Sequence, residues 1–183
     1  GCYDELISQL SGAGVLYDVV DKRQEGRKID VHFNGALYPE QQVAAEKMLY
    51  NDIGVLAAAT AFGKTVLGAY LIAQKKVNAL VLVHNVEIMN NWIKDLNSFL
   101  TINEELPTYT TPKGRVKKRS SLIGTFSSQK DATTGIIDIA MITSLGREDN
   151  INELVRNYGM VIVDECHHAA AVTHENVLRA VTA

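Results

Sequence analysis

Two short stretches carry residues whose types and spacing could do chemistry. Residues 58–65 read Ala-Ala-Thr-Ala-Phe-Gly-Lys-Thr. This is the spacing A-x-x-x-x-G-K-T, a phosphate loop with alanine where the general pattern has glycine. Small residues let the backbone of Thr60, Ala61, Phe62 and Gly63 wrap an anion with its N–H groups turned inward. A helix starting here would add its positive N-terminus. Lys64 would then reach the outer phosphates, and the Thr65 hydroxyl would be placed to ligate Mg²⁺. The second stretch, Asp164-Glu165-Cys166-His167-His168, follows the apolar run Met160–Val163. Asp164 at the tip of a buried strand would hold Mg²⁺, directly or through water. Glu165 would orient or deprotonate an attacking water. A chance Gly-Lys-Thr and a solvated acidic turn are the bland readings of the two stretches. Their co-occurrence, each at the end of an apolar run, argues against both.

The elements that must position these residues are legible from Leu37 onward. Pro39 opens a helical run, with proline at a first-turn position where its missing N–H costs nothing. Strand-like and helix-like segments then alternate. Strands are expected at 54–59, 78–83, 136–143 and 160–163. Helices are expected at 64–74, 86–100, 150–158 and 173–182. The apolar stripe of the second helix reads Val86, Met89, Ile93, Leu96 and Leu100. The strands are continuous apolar runs, as in parallel strands buried on both faces. Alternation of the two types implies an α/β fold, a doubly wound parallel sheet with helices on both faces. Ligands in such folds bind beyond the carboxyl ends of the strands, where both stretches fall. Ahead of this core, Tyr3–Leu10 has helical apolar spacing. Val15–Val20 and Lys28–Phe33 read as a hairpin, so residues 1–35 are expected to be an appendage and 36–183 the main domain.

Composition bounds the alternatives. The chain has 183 residues, 46% of them hydrophobic and 21% charged, as in a soluble domain with a real core. No run approaches the roughly 18 apolar residues of a membrane span, and the start lacks a signal-peptide pattern. Two cysteines, Cys2 and Cys166, make no disulfide framework, which favours a reducing, cytoplasmic setting. A net charge of −3 means that any nucleic-acid contact must be local. Five basic residues, Lys113, Arg115, Lys117, Lys118 and Arg119, fall in a polar insert at about 104–135. A solvated loop and phosphate-backbone contact are both open there. Cys166, His167, His168 and His174 invite a zinc reading, which lacks C-x-x-C or H-E-x-x-H spacing.

These residues resemble motifs I and II of superfamily 2 helicases, the DExH group. Leu37-Tyr38-Pro39-Glu40-Gln41-Gln42 looks like the stretch upstream of motif I. Leu82-Val83-His84-Asn85, with Glu87 and Trp92, looks like motif Ia. Thr143-Ser144-Leu145 looks like the strand-end motif that touches the tracking strand. Order and spacing cover residues 36–183, most nearly like the xeroderma-group-B-like and type III restriction-subunit-like helicases. The resemblance implies the first RecA-like lobe of an ATP-dependent motor using Mg²⁺. Gln41 would then read adenine, and His167 would couple the nucleotide to the following motif. His84, Asn85, Thr143 and Ser144 would touch single-stranded nucleic acid, DNA rather than RNA, with help from Lys117, Lys118 and Arg119. It further implies a second lobe with arginine fingers beyond Ala183, so that this piece alone would bind nucleotide and turn it over slowly. A restriction-type translocase that does not unwind, and a nucleotide-gated binding module without catalysis, are the alternatives; an intact Glu165 argues against the second.

Overall fold

A computed structural model describes residues 3–20, 23–59, 61–147, 150, 151, 153–166 and 172–183. In chain order the elements begin with α1 (Tyr3–Gly12), β1 (Val31–Phe33), α2 (Pro39–Tyr50), α3 (Lys64–Lys75) and β2 (Ala79–Val83). Then come α4 (Val86–Phe99), β3 (Leu100–Ile102), β4 (Thr108–Thr110), β5 (Val116–Lys118), β6 (Ile123–Ser127) and β7 (Lys130–Asp131). The last are β8 (Ile137–Met141), α5 (Ile142–Leu145), β9 (Gly146–Arg147), β10 (Asn150–Ile151), a 3₁₀ turn (Glu153–Arg156), β11 (Met160–Val163) and α6 (Val172–Ala180).

The core is a five-stranded sheet in the order β11-β2-β8-β6-β7. Its first four strands are parallel, with Val81 opposite both Ile162 and Ile139; β7 returns antiparallel to β6. The alternating side chains of β2 explain why the run is apolar throughout. Ala79, Val81 and Val83 pack with Ile72, Met89, Trp92 and Leu96 from α3 and α4. Leu80 and Leu82 pack on the opposite face with Leu145, Tyr158 and Val177. Both faces are covered by helices, as expected of a parallel sheet. Parallel strands also bring their carboxyl ends to one edge, so His84, Ile142 and Asp164 follow neighbouring strands there. A smaller cluster joins Ala45 of α2 to Leu67 and Leu71 of α3.

Several expectations need correction. Lys28–Phe33 does not pair with Val15–Val20. Val31–Phe33 pairs antiparallel with Leu100–Ile102, and Ile29 and Val31 enter the main core. Burial of those side chains between α3 and β3 outweighs the short-range preference for a hairpin. Gly54–Ala59 forms no ladder with any described residue and is largely exposed. Its apolar composition suits a strand, but a strand exists only where a partner takes its backbone groups. The polar insert at 104–135 is not a plain loop. It holds the β4–β5 hairpin and then β6, whose Ile123 and Gly124 are buried beside β8. The helix expected at 150–158 is instead the β9–β10 pair and a 3₁₀ turn. On α4 the buried stripe is Met89, Trp92 and Leu96, while Val86 is exposed.

Candidate functional site

The loop between Ala58 and α3 has the shape its residues imply. Ala61 and Gly63 both take left-handed backbone angles, φ 65° and 81°. Gly63 is the N-cap of α3, so the loop turns sharply and delivers Lys64 and Thr65 to the first helical turn. Glycine is required at 63 for a second reason: a Cβ there would lie 2.5 Å from Gln41 Nε2. Gln41 itself is buried. Its Oε1 accepts from the Tyr38 amide at 2.9 Å, and its Nε2 donates to the Phe62 carbonyl at 2.7 Å. A residue expected to face adenine thus also ties the start of α2 to the loop that precedes α3. The Lys64 ammonium makes only a long contact with the Ala58 carbonyl, 3.4 Å, and no ion pair among the described residues. A cation with no carboxylate partner among the described residues, at the N-terminus of a helix, suits an anion. Thr60 lies outside the described residues.

Asp164 follows β11 and has a partner for each oxygen. Its Oδ1 accepts from the Glu165 amide at 2.9 Å, and its Oδ2 accepts from Trp92 Nε1 at 2.8 Å. Glu165 has φ 54°, a left-handed angle uncommon outside glycine. Strain of this kind persists where surrounding structure imposes it, and it concentrates at functional sites. The donor set fits the expected cofactor: a hydroxyl on Thr65 and an oriented carboxylate on Asp164 are hard oxygen ligands of the sort Mg²⁺ takes beside phosphates. Cys166 is exposed. His167 and His168 lie outside the described residues, as does the side chain of His174. The coupling role of His167 and most of the zinc cluster therefore fall outside the described residues.

The expected nucleic-acid residues divide by what else they do. Asn85 caps α4: its Oδ1 accepts from the Ile88 amide at 2.8 Å, and its Nδ2 lies 3.0 Å from His84 Nε2. The cap accounts for asparagine at this position. Ser144 Oγ accepts from the Ser128 amide at 2.9 Å, tying α5 to the β6–β7 turn, while Thr143 beside it is exposed. Lys117 and Lys118 are exposed on β5. Being adjacent in a strand they point to opposite faces, so the basic run is not one patch. Arg119 is held: its guanidinium stacks 4.3 Å over the Tyr109 ring and donates to the Asp131 carbonyl at 3.3 Å.

Two residues near the site have roles that their sequence context does not announce. Trp92 stands out in the sequence only as part of a motif, yet it binds Asp164. Gly68, one turn into α3, lies against the indole of Trp92. The available signals were a lone tryptophan and a glycine inside an otherwise strong helix.

Comparison with known proteins adds the following. Residues 34–183 match the family described as "Type III restriction enzyme, res subunit". A relative from Acanthamoeba polyphaga mimivirus, named "Putative ATP-dependent RNA helicase L396", is 24% identical over 157 residues. That alignment covers 84% of this chain and 27% of the relative, so the chain spans about a quarter of that protein's length. No helix among the described residues is long and apolar enough to cross a membrane.

Proposed function

Since the chain belongs to the type III restriction enzyme res-subunit family, we propose that residues 36–183 form the ATP-binding lobe of a nucleic-acid motor. One observation carries this reading most directly. The left-handed Gly63 sets Lys64 and Thr65 at the start of α3, while Asp164 ends a strand of the sheet on which α3 packs. The loop amides and Lys64 would hold the phosphates of ATP. Thr65 and Asp164 would hold Mg²⁺, which supplies charge neutralisation at the outer phosphates. Glu165 would accept the proton of the attacking water. Gln41 can serve adenine without leaving the loop, because an amide has two N–H donors and a carbonyl oxygen two acceptor sites. Its contacts with Phe62 and Tyr38 use one of each.

Single-stranded nucleic acid would cross the same sheet edge, near His84, Asn85, Thr143 and Ser144. Lys117 and Lys118 would contribute charge. We take DNA as the substrate, in keeping with the family's restriction-enzyme description; the mimiviral relative is named for RNA. DExH-type action and a cytoplasmic setting belong to the same reading. Fluorescence anisotropy with labelled single-stranded DNA and RNA of one sequence, with and without ATP and Mg²⁺, tests it. Nucleotide-dependent binding with DNA preferred is the expected result. Binding to neither strand under any nucleotide condition would refute the motor reading.

A further inference from the structure

We propose that Trp92 is a positioning residue for Mg²⁺·nucleotide, a rigid strut that fixes the Asp164 carboxylate relative to the phosphate-loop helix. The inference rests on the nucleotide-site reading above and adds to it a residue that touches neither nucleotide nor metal.

Trp92 is the single tryptophan of the chain and is only 2% exposed. A buried indole contributes a large apolar surface, and its N–H needs a partner. On α4 the amphipathic stripe calls only for an apolar side chain at this position, which phenylalanine or leucine would satisfy. The polar end of the ring is what distinguishes tryptophan. That end donates from Nε1 to Asp164 Oδ2 at 2.8 Å, between residues 72 apart in the chain. The other carboxylate oxygen accepts from the Glu165 amide. Each oxygen therefore has one fixed donor, and the rotamer of the carboxylate is set from two directions. An ionised carboxylate offers about four acceptor positions, so ligand-facing lone pairs remain.

The far end of the same ring meets α3. A Cβ added at Gly68 would stand 2.5 Å from Trp92 Cη2 and 3.1 Å from Cζ3. Glycine inside a helix costs about 0.5–1 kcal/mol relative to alanine, and here it leaves the space that the indole occupies. Gly68 lies four residues after Lys64 and three after Thr65 in one helix, so it shares their side of α3 one turn on. The indole thus spans from the helix that presents Lys64 and Thr65 to the carboxylate of Asp164. The two groups expected to share Mg²⁺ come from different elements, and Trp92 contacts both of those elements.

The test compares the whole chain with Trp92→Phe, which keeps most of the ring packing and deletes the N–H. Calorimetric titration with ADP is done in excess Mg²⁺ and again in EDTA. A hydrogen bond to a charged group accounts for about a tenfold effect or more. Trp92→Phe should match the wild type in EDTA and lose about tenfold of the Mg²⁺-dependent gain in affinity. Gly68→Ala, which pushes on the other end of the ring, should lose part of the same gain. A third measurement needs no packing change. Adding Mg²⁺ to wild-type protein in ADP should alter Trp92 emission, because the charge at its N–H changes; Asp164→Asn should abolish the response. An unchanged Mg²⁺-dependent gain in Trp92→Phe, an equal loss with and without Mg²⁺, or an emission blind to Mg²⁺ would each overturn the proposal while leaving the nucleotide site standing. A wild type that binds no ADP at all would overturn the site and the strut together.

Discussion

The side chain of Gln41 joins the start of α2 to the phosphate loop: Nε2 donates to the Phe62 carbonyl at 2.7 Å, 21 residues away. With Oε1 bound to the Tyr38 amide, one buried amide closes two backbone groups. Gln41→Ala removes both part-buried bonds, at about 0.5–1.5 kcal/mol each and so about 1–3 kcal/mol together. Urea denaturation should show a loss in that range, together with weaker ADP binding. Gln41→Glu should retain the Tyr38 contact yet set a carboxylate against a carbonyl, and should bind ADP no better than the alanine variant.

Gly63 tolerates a side chain poorly. Its φ of 81° disfavours any side chain, and a Cβ would press on Gln41 Nε2. Strain in this region is of order 1–3 kcal/mol. Gly63→Ala should abolish detectable ADP binding in calorimetry while α-helical circular dichroism is retained. Wild-type affinity in this variant would contradict the loop geometry.

Asp138 and Tyr158 form a buried polar pair on the other side of the sheet. Tyr158 donates to Asp138 Oδ2, and the Gly135 amide, the Thr134 amide and the Thr134 hydroxyl donate to the same carboxylate. Burial, with the Asp138 charge second, raises the Tyr158 pKa above its ordinary value near 10. The folded state therefore keeps this proton above pH 10, where the unfolded chain has released it. Stability from the pair is fully present below pH 10 and falls as pH rises above it, by about 1.4 kcal/mol per pH unit. Tyr158→Phe should be less stable near neutrality and should lack this part of the alkaline slope in urea midpoints measured from pH 9 to 11.

The basic run on the β4–β5 hairpin should separate into two kinds of residue. Lys117 and Lys118 are exposed, so replacing both with Gln should flatten the slope of log K against log salt for single strands. The change should be about 0.7 for each phosphate deprived of its lysine. Arg119 stacks on Tyr109 and bonds Asp131. Arg119→Gln should lower the melting temperature more than it changes that slope.

The legible part of the sequence was the part fixed by local chemistry. The parallel strands β2 and β11 announce themselves as continuous apolar runs because helices cover both their faces, and β8 does so apart from its buried Asp138. Gly63, Lys64, Thr65 and Asp164 declare themselves by type and spacing. What stayed hidden depends on partners far along the chain. Val31–Phe33 reads locally as half of a hairpin, yet its partner lies about 70 positions on, with Val31 opposite Ile102 and Phe33 opposite Leu100. β6 was masked by Gly124, which looks like a loop residue but has its Cβ position taken by Asp138 Oδ1. Gly54–Ala59 has strand composition and no ladder partner among the described residues. Asn85 was legible as a motif position, while its capping bond to Ile88 shows only in three dimensions. The Trp92–Asp164 contact joins two motifs whose residues lie far apart in the chain.

Residues 58–65 and Asp164 are proposed to bind the phosphates and metal of a nucleotide. Isothermal titration of ADP and Mg²⁺ into the chain and into Lys64→Ala tests it most directly. Lys64 makes one long contact with a carbonyl and belongs to none of the hydrophobic clusters, so the variant should fold with an unchanged melting temperature. The wild type should show saturable, one-to-one binding and the variant binding at least about tenfold weaker, the scale of a charge-assisted hydrogen bond. Equal affinity in the two proteins, with both folded, would contradict it.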